Sequence, residues 1–174
     1  DSDQLELQPL LQPHGEAEIA LVLAHDLDQH NVTAADIAAA TAYATPALEI
    51  VDSRIANWRI TFADTVADNG SSSHFVLGDA RKPLEGLDLY SCGMVLEVNG
   101  DVKSVGAGAA SLGHPFNAAA WLAQTLARNG TPLTAGQVLL TGALGPMVPL
   151  VPGQHVRATI GGLGEVSVRC ISQL

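Results

Sequence analysis

Short alternating apolar runs outnumber helical ones along this chain. Residues 16–24 (E-A-E-I-A-L-V-L-A) begin as an alternation and end as a continuous apolar run, which predicts a strand buried on both faces toward its end. Thr33, followed three residues later by Asp36, predicts a capped helix start. The alanine-rich run carries that helix to about residue 44, where Pro46 stops it. Residues 47–51 read as the next strand. Residues 53–63 alternate enough to predict another, packed through Trp58 and Phe62, and residues 64–73 (D-T-V-A-D-N-G-S-S-S) read as a polar turn or a single helical turn. Asn99-Gly100, between M-V-L-E-V and D-V-K-S-V, marks a hairpin because both residues tolerate positive φ. Residues 114–128 predict a helix with Pro115 in its first turn and Asn129-Gly130 as its stop. Strands at 138–141, 155–160 and 165–170 complete the pattern, after an extended lead-in over the first dozen residues. The strands do not alternate with helices as βαβ units, so the expected class is β-rich α+β.

Composition narrows the function classes. At 174 residues and 47% hydrophobic, the chain suits one core and not two domains. Charged residues make up only 15%. Low charge with high apolar content predicts that part of the exterior is covered in a homo-oligomer. The net charge of -10, with only Lys82 and Lys103 as lysines, excludes the cationic footprint that nucleic acid requires. No uninterrupted apolar stretch reaches the roughly 18 residues of a membrane span. The acidic start, Asp1-Ser2-Asp3-Gln4, lacks the basic and apolar regions of a signal peptide, and the expected location is cytoplasmic. Cys92 and Cys170 read as core-lining thiols, with a disulfide as the alternative.

The chemistry begins with Glu16 and Glu18. Side chains at i and i+2 of a strand share a face, so the two carboxylates lie side by side and repel unless a cation intervenes or water solvates both. Glu49 adds a third carboxylate inside the apolar segment P-A-L-E-I-V, where an isolated charge would be costly. Three carboxylate oxygens suit a hard cation, Mg²⁺ or Mn²⁺, whereas zinc more often recruits His or Cys. On spacing alone, the pair can equally be a solvated sheet face, and Glu49 the partner of Arg54.

Five motifs in order resolve that ambiguity: E16-A-E18-I-A-L, P46-A-L-E49-I-V-D-S-R54, D64-T-V-A-D-N-G-S-S72, L112-G-H-P-F-N117 and T141-G-A-L-G-P-M147. Together they resemble the 2-oxopent-4-enoate (2-hydroxypenta-2,4-dienoate) hydratase branch of the fumarylacetoacetate hydrolase superfamily, from about residue 12 to the C-terminus. The resemblance implies a mixed β-sandwich or β-roll with a few flanking helices. It implies Mg²⁺ or Mn²⁺ held by Glu16, Glu18 and Glu49. The implied reaction ketonises a dienol to a 2-oxo-enoate and adds water, in meta-cleavage degradation of aromatic compounds. The implied partners are a small 2-oxo acid, further copies of the chain and the next enzyme of the pathway.

By the same resemblance, Ser71, with Asn69 and Ser72 behind it, contacts the substrate, and Gly142, Ala143 and Leu144 line the site mouth. Taken alone, an Asn-Gly-Ser-Ser run is only a turn. The T-G-A-L-G-P loop favours the hydratases over the superfamily's 2-oxo-3-enedioate (4-oxalocrotonate) decarboxylases and acylpyruvate hydrolases. Family members carry an N-terminal lobe that contributes lysine and acidic residues as acid/base groups. Nothing in residues 1–174 corresponds to that lobe. The chain therefore reads as one catalytic domain of the C-terminal type, with a non-catalytic oligomerising subunit as the alternative from another class. His114 reads as a helix cap as readily as a catalytic group. His74 near Ser71 suggests a Ser-His pair that lacks a third member.

Overall fold

The computed structural model describes residues 4–172. Two curled sheets face each other across one apolar core. The first has strand order β1(Gln4–Glu6), β10(Gly164–Ile171), β9(His155–Ile160), β5(Gly93–Val98), β6(Asp101–Ala107). The second runs β4(Ser72–Leu77), β3(Thr41–Asp52), β2(Pro13–Leu23), β7(Val138–Leu140), with β8(Val148–Pro149) also on β2. All pairings are antiparallel except β1 with β10. Ile19, Leu21, Leu48 and Ile50 from one sheet and Met94, Leu96, Ala158 and Ile160 from the other are buried almost completely. This is the β-rich α+β architecture expected. Cys92 and Cys170 are buried in the core as free thiols. No helix among the described residues is long and apolar enough to cross a membrane.

Among the described residues, three helices flank the sheets: α1(Ala34–Ala40), α2(Phe62–Ala67) and α3(Pro115–Arg128). Thr33 and Asp36 form the expected capping box on α1. Its end differs from expectation. The helix stops at Ala40, and residues 41–46, read as helix and stop signal, open β3 instead. Pairing with β2 overrides the alanine propensity, since a long-range ladder satisfies every backbone group that a few more helical residues would. Pro46 is tolerated within β3 because its missing donor faces the side on which β4 has already ended; its carbonyl accepts the Gly78 N–H at 2.8 Å.

The strand expected at 53–63 does not form. A 3-10 turn at Ala56–Trp58, with Asn57 at φ 57°, breaks the chain, and Thr61 with Asp64 builds a capping box that starts α2. Phe62, expected in the packing, is 86% exposed, whereas Trp58 is half-buried and donates its indole N–H to the Gln12 carbonyl. Ser72–Leu77, hidden in a serine-rich run, is the edge strand β4. The hairpin at Asn99-Gly100, with φ 54° and 87°, and helix α3 with His114 as its N-cap match expectation.

Residues 141–145 run beside the middle of β2 and tie the two sheets together. Thr141 N–H donates to the Ile19 carbonyl at 3.1 Å, Leu144 N–H to Ala17 at 3.0 Å, and Ala107 N–H to Leu144 at 3.1 Å. Gly106 makes this approach feasible, because a Cβ there would overlap the Leu144 carbonyl. Gly106→Ala should therefore cost roughly 3 kcal/mol, a Tm loss of about 6–12 °C for a chain of this size. Thermal unfolding followed by circular dichroism checks this, and an unchanged Tm would contradict the close approach.

Candidate metal centre

Strand register brings the three glutamates together. Glu16 on β2 pairs directly with Glu49 on β3, and Glu18, two residues along β2, pairs with Ala47 in the next same-face row. One carboxylate oxygen from each of the three lies within 4.8 Å of the others. Glu18 is 1% exposed; Glu16 and Glu49 are half-buried. Among the described residues, no lysine or arginine forms an ion pair with any of them.

Arg54, the alternative partner of Glu49, instead pairs with Asp68 at 3.4 Å. The solvated-face reading fails at Glu18, which is almost fully buried and accepts the Gly142 N–H at Oε2, 2.7 Å away. Burial, then the Glu49 charge, raises the Glu16 carboxyl to about 7. Burial, then Glu49, raises Glu18 to about 9, and the Gly142 hydrogen bond only partly offsets the rise. Without a cation, the cluster therefore holds protons near neutrality. A divalent cation would replace them, and an all-carboxylate oxygen set fits a hard ion.

The remaining expected site residues divide by depth. Ser72 sits opposite Val51, two residues along β3 from Glu49, and is half-buried; Asn69 is exposed. Ser71 is buried at φ 56° and donates its hydroxyl to Asp68 at 2.8 Å. Asp68 also accepts the Arg54 N–H, so Ser71 braces the 68–72 turn from below. His74 bonds Ser73 and not Ser71, which removes the Ser71–His74 pair. Gly142 is exposed and Ala143 half-buried, and the Gly142 N–H is already engaged by Glu18. Leu144 is fully buried in the core, so only its backbone belongs to the loop. His114 acts as a cap, its Nδ1 accepting the Phe116 N–H at 3.0 Å. Asp64 caps α2. Phe75, 53% exposed, is the cross-strand neighbour of Glu49 on β4 and sets apolar surface beside the carboxylates. Two contributors escaped sequence reading. The Gly142–Glu18 bond spans 124 residues, and Ser111, which bonds the Thr141 carbonyl, stands just before a motif that drew attention. No local pattern signals either contact.

Residues 5–170 match the fumarylacetoacetate (FAA) hydrolase C-terminal family. The chain belongs to that family. Among relatives of this FAA hydrolase-family chain, a 2-keto-4-pentenoate hydratase of Burkholderia vietnamiensis is 55% identical over 95% of the chain and 63% of that protein. A 2-hydroxyhexa-2,4-dienoate hydratase of Comamonas testosteroni is 44% identical over 92% of the chain and 61% of that protein. The solved structure of a 4-oxalocrotonate decarboxylase from Pseudomonas putida G7, complexed with magnesium and adipate, superposes with a TM-score of 0.93 at 39% identity, covering 98% of the chain and 65% of that protein. The chain thus spans somewhat under two thirds of the length of these relatives.

The raised carboxyls fix a sign. Their folded-state values exceed the ordinary 4.5, so in metal-free protein the stability they contribute is complete below about 4.5 and lost as pH rises through about 7 for Glu16 and 9 for Glu18. A bound cation holds the carboxylates ionised and opposes that loss. The Tm increment produced by Mg²⁺ over EDTA should therefore grow from pH 5.5 to pH 8.5. Differential scanning fluorimetry across that range checks this, and a pH-independent increment would contradict it.

Proposed function

We propose that this chain is the cation-binding catalytic domain of a hydratase that adds water to 2-hydroxypenta-2,4-dienoate, giving 4-hydroxy-2-oxopentanoate in meta-cleavage degradation of aromatic compounds. The observation that carries the reading is the convergence of Glu16, Glu18 and Glu49 without a protein cation. The naming of the relatives at 55% and 44% identity as hydratases of small dienoates supports it.

Glu16, Glu18 and Glu49 would hold Mg²⁺ or Mn²⁺. When bound, the ion supplies Lewis-acid stabilisation of the enolate charge on a chelated 2-oxo acid. The chain's residues do the rest of the binding. Gly142 N–H orients Glu18. Ser72, Asn69 and Ala143, on the accessible rim, contact the substrate, while Ser71 and Leu144 support the rim from beneath. Phe75 offers apolar surface to the hydrocarbon end and limits water beside the carboxylates. Exposed apolar side chains at Phe62, Val66, Val102, Val105 and Trp121 fit burial in a homo-oligomer, and the two buried free thiols fit a reducing cytoplasm.

Loss of the dienol ultraviolet absorbance tests the activity, with EDTA and then restored Mg²⁺ or Mn²⁺. Metal-dependent formation of 4-hydroxy-2-oxopentanoate is the expected result. Glu49→Gln should lower turnover at least about 100-fold while the protein stays folded. Carbon dioxide release from a 2-oxo-3-enedioate would assign a decarboxylase instead, and no turnover of either substrate when these residues are assayed together with an N-terminal lobe would favour an oligomerising subunit.

A further inference from the structure

The peptide unit joining Thr141 to Gly142 is held at both polar ends. Its N–H donates to Glu18 Oε2 at 2.7 Å. Its carbonyl accepts the hydroxyl of Ser111. Gly142 has φ +97°, so this unit is followed by a residue with no Cβ to resist rotation of the peptide plane. Its orientation is set by hydrogen-bond partners, and both partner residues are buried. Ser111 is 4% exposed, Thr141 3% and Glu18 1%. A carbonyl left without its donor there would bear a full desolvation cost.

Thr141 itself is pinned separately. Its N–H and its hydroxyl both donate to the Ile19 carbonyl, at 3.1 and 2.9 Å. These bonds fix the approach of the loop to β2 but leave the plane of the following peptide free. Ser111 has no comparable part in the core. Its own backbone closes the 3-10 turn at Gly108–Ala110 and accepts the His114 N–H at 2.9 Å, on the lead into α3. The hydroxyl therefore reaches from the α3 entry to the peptide whose N–H faces a cluster carboxylate.

We propose that Ser111 is a positioning residue for the cation site: by clamping the Thr141 carbonyl it aims the Gly142 N–H at Glu18 and holds that carboxylate in its ligating orientation. The inference rests on the cation reading above. It assigns a role to a side chain that touches neither substrate nor ion. Outer-sphere partners of this kind typically change metal affinity by about 10- to 100-fold when removed.

The test is Mn²⁺ binding, read by electron paramagnetic resonance and by calorimetry, on wild type, Ser111→Ala, Ser111→Cys and Ser111→Thr. The alanine and cysteine variants should bind Mn²⁺ about tenfold more weakly, since a thiol is a poor donor of similar size. Threonine, which keeps the hydroxyl, should stay within about twofold of wild type. Gln124→Ala serves as the structural comparison. It removes a 2.7 Å bond from α3 to the Val32 carbonyl, remote in sequence from the loop, and should lower Tm without weakening Mn²⁺. Cysteine supplies the answer if the alanine variant does not fold. Wild-type Mn²⁺ affinity in a folded Ser111→Ala or Ser111→Cys variant overturns the role of Ser111, as does a loss of affinity in Gln124→Ala that follows its loss of stability. Failure of the wild-type protein to bind Mn²⁺ overturns the cation reading itself.

Discussion

Glu16 and Glu49 stand directly opposite each other on adjacent strands, with Glu18 one row further along the same face, and the repulsion among them organises the site. A directly opposed like-charge pair is destabilising on any sheet. Here the third carboxylate is buried to 1% exposure, and no basic side chain among the described residues forms an ion pair with the cluster. Such a cluster has two stable resolutions, protonation or a shared cation. The raised pKa values of Glu16 and Glu18 express the first, and the all-oxygen donor set suits the second.

The fold can tolerate this repulsion because the rest of β2 and β3 is overwhelmingly apolar. Ala17, Ile19 and Leu21 from β2, with Leu48 and Ile50 from β3, point into the space between the sheets. One-residue slippage of the β2–β3 register would drive the glutamates into that core and expose the aliphatic set. The register that buries the core is thus the same register that assembles the cluster. Around it, the 141–145 segment ties β2 to the opposite sheet through Ala107 and delivers the Gly142 N–H to the buried member of the trio.

Much of this was legible in one dimension. The i, i+2 spacing of Glu16 and Glu18 on an apolar strand, and an isolated glutamate in P-A-L-E-I-V, marked the three carboxylates as candidates, and the resemblance carried by the five ordered motifs chose a cation over a solvated face. The Asn99-Gly100 hairpin, the Thr33 cap and the Pro115 helix start were equally local signals. The misread elements share a different physics. Residues 41–46 have helical composition but find their backbone partners in β2, and the 53–63 alternation yields to a capping box at Thr61–Asp64 that ends any strand. Ser71 and Leu144 are buried, a depth that neither a positive-φ turn nor a loop beside the core announces in sequence. Ser111 went unnoticed because its significance depends on a peptide thirty residues away.

Anomalous diffraction from crystals of this chain grown with Mn²⁺ tests the central claim most directly. The account predicts one strong peak within coordination distance of oxygens from Glu16, Glu18 and Glu49. A metal-free cluster, or a peak that excludes Glu49, would contradict it.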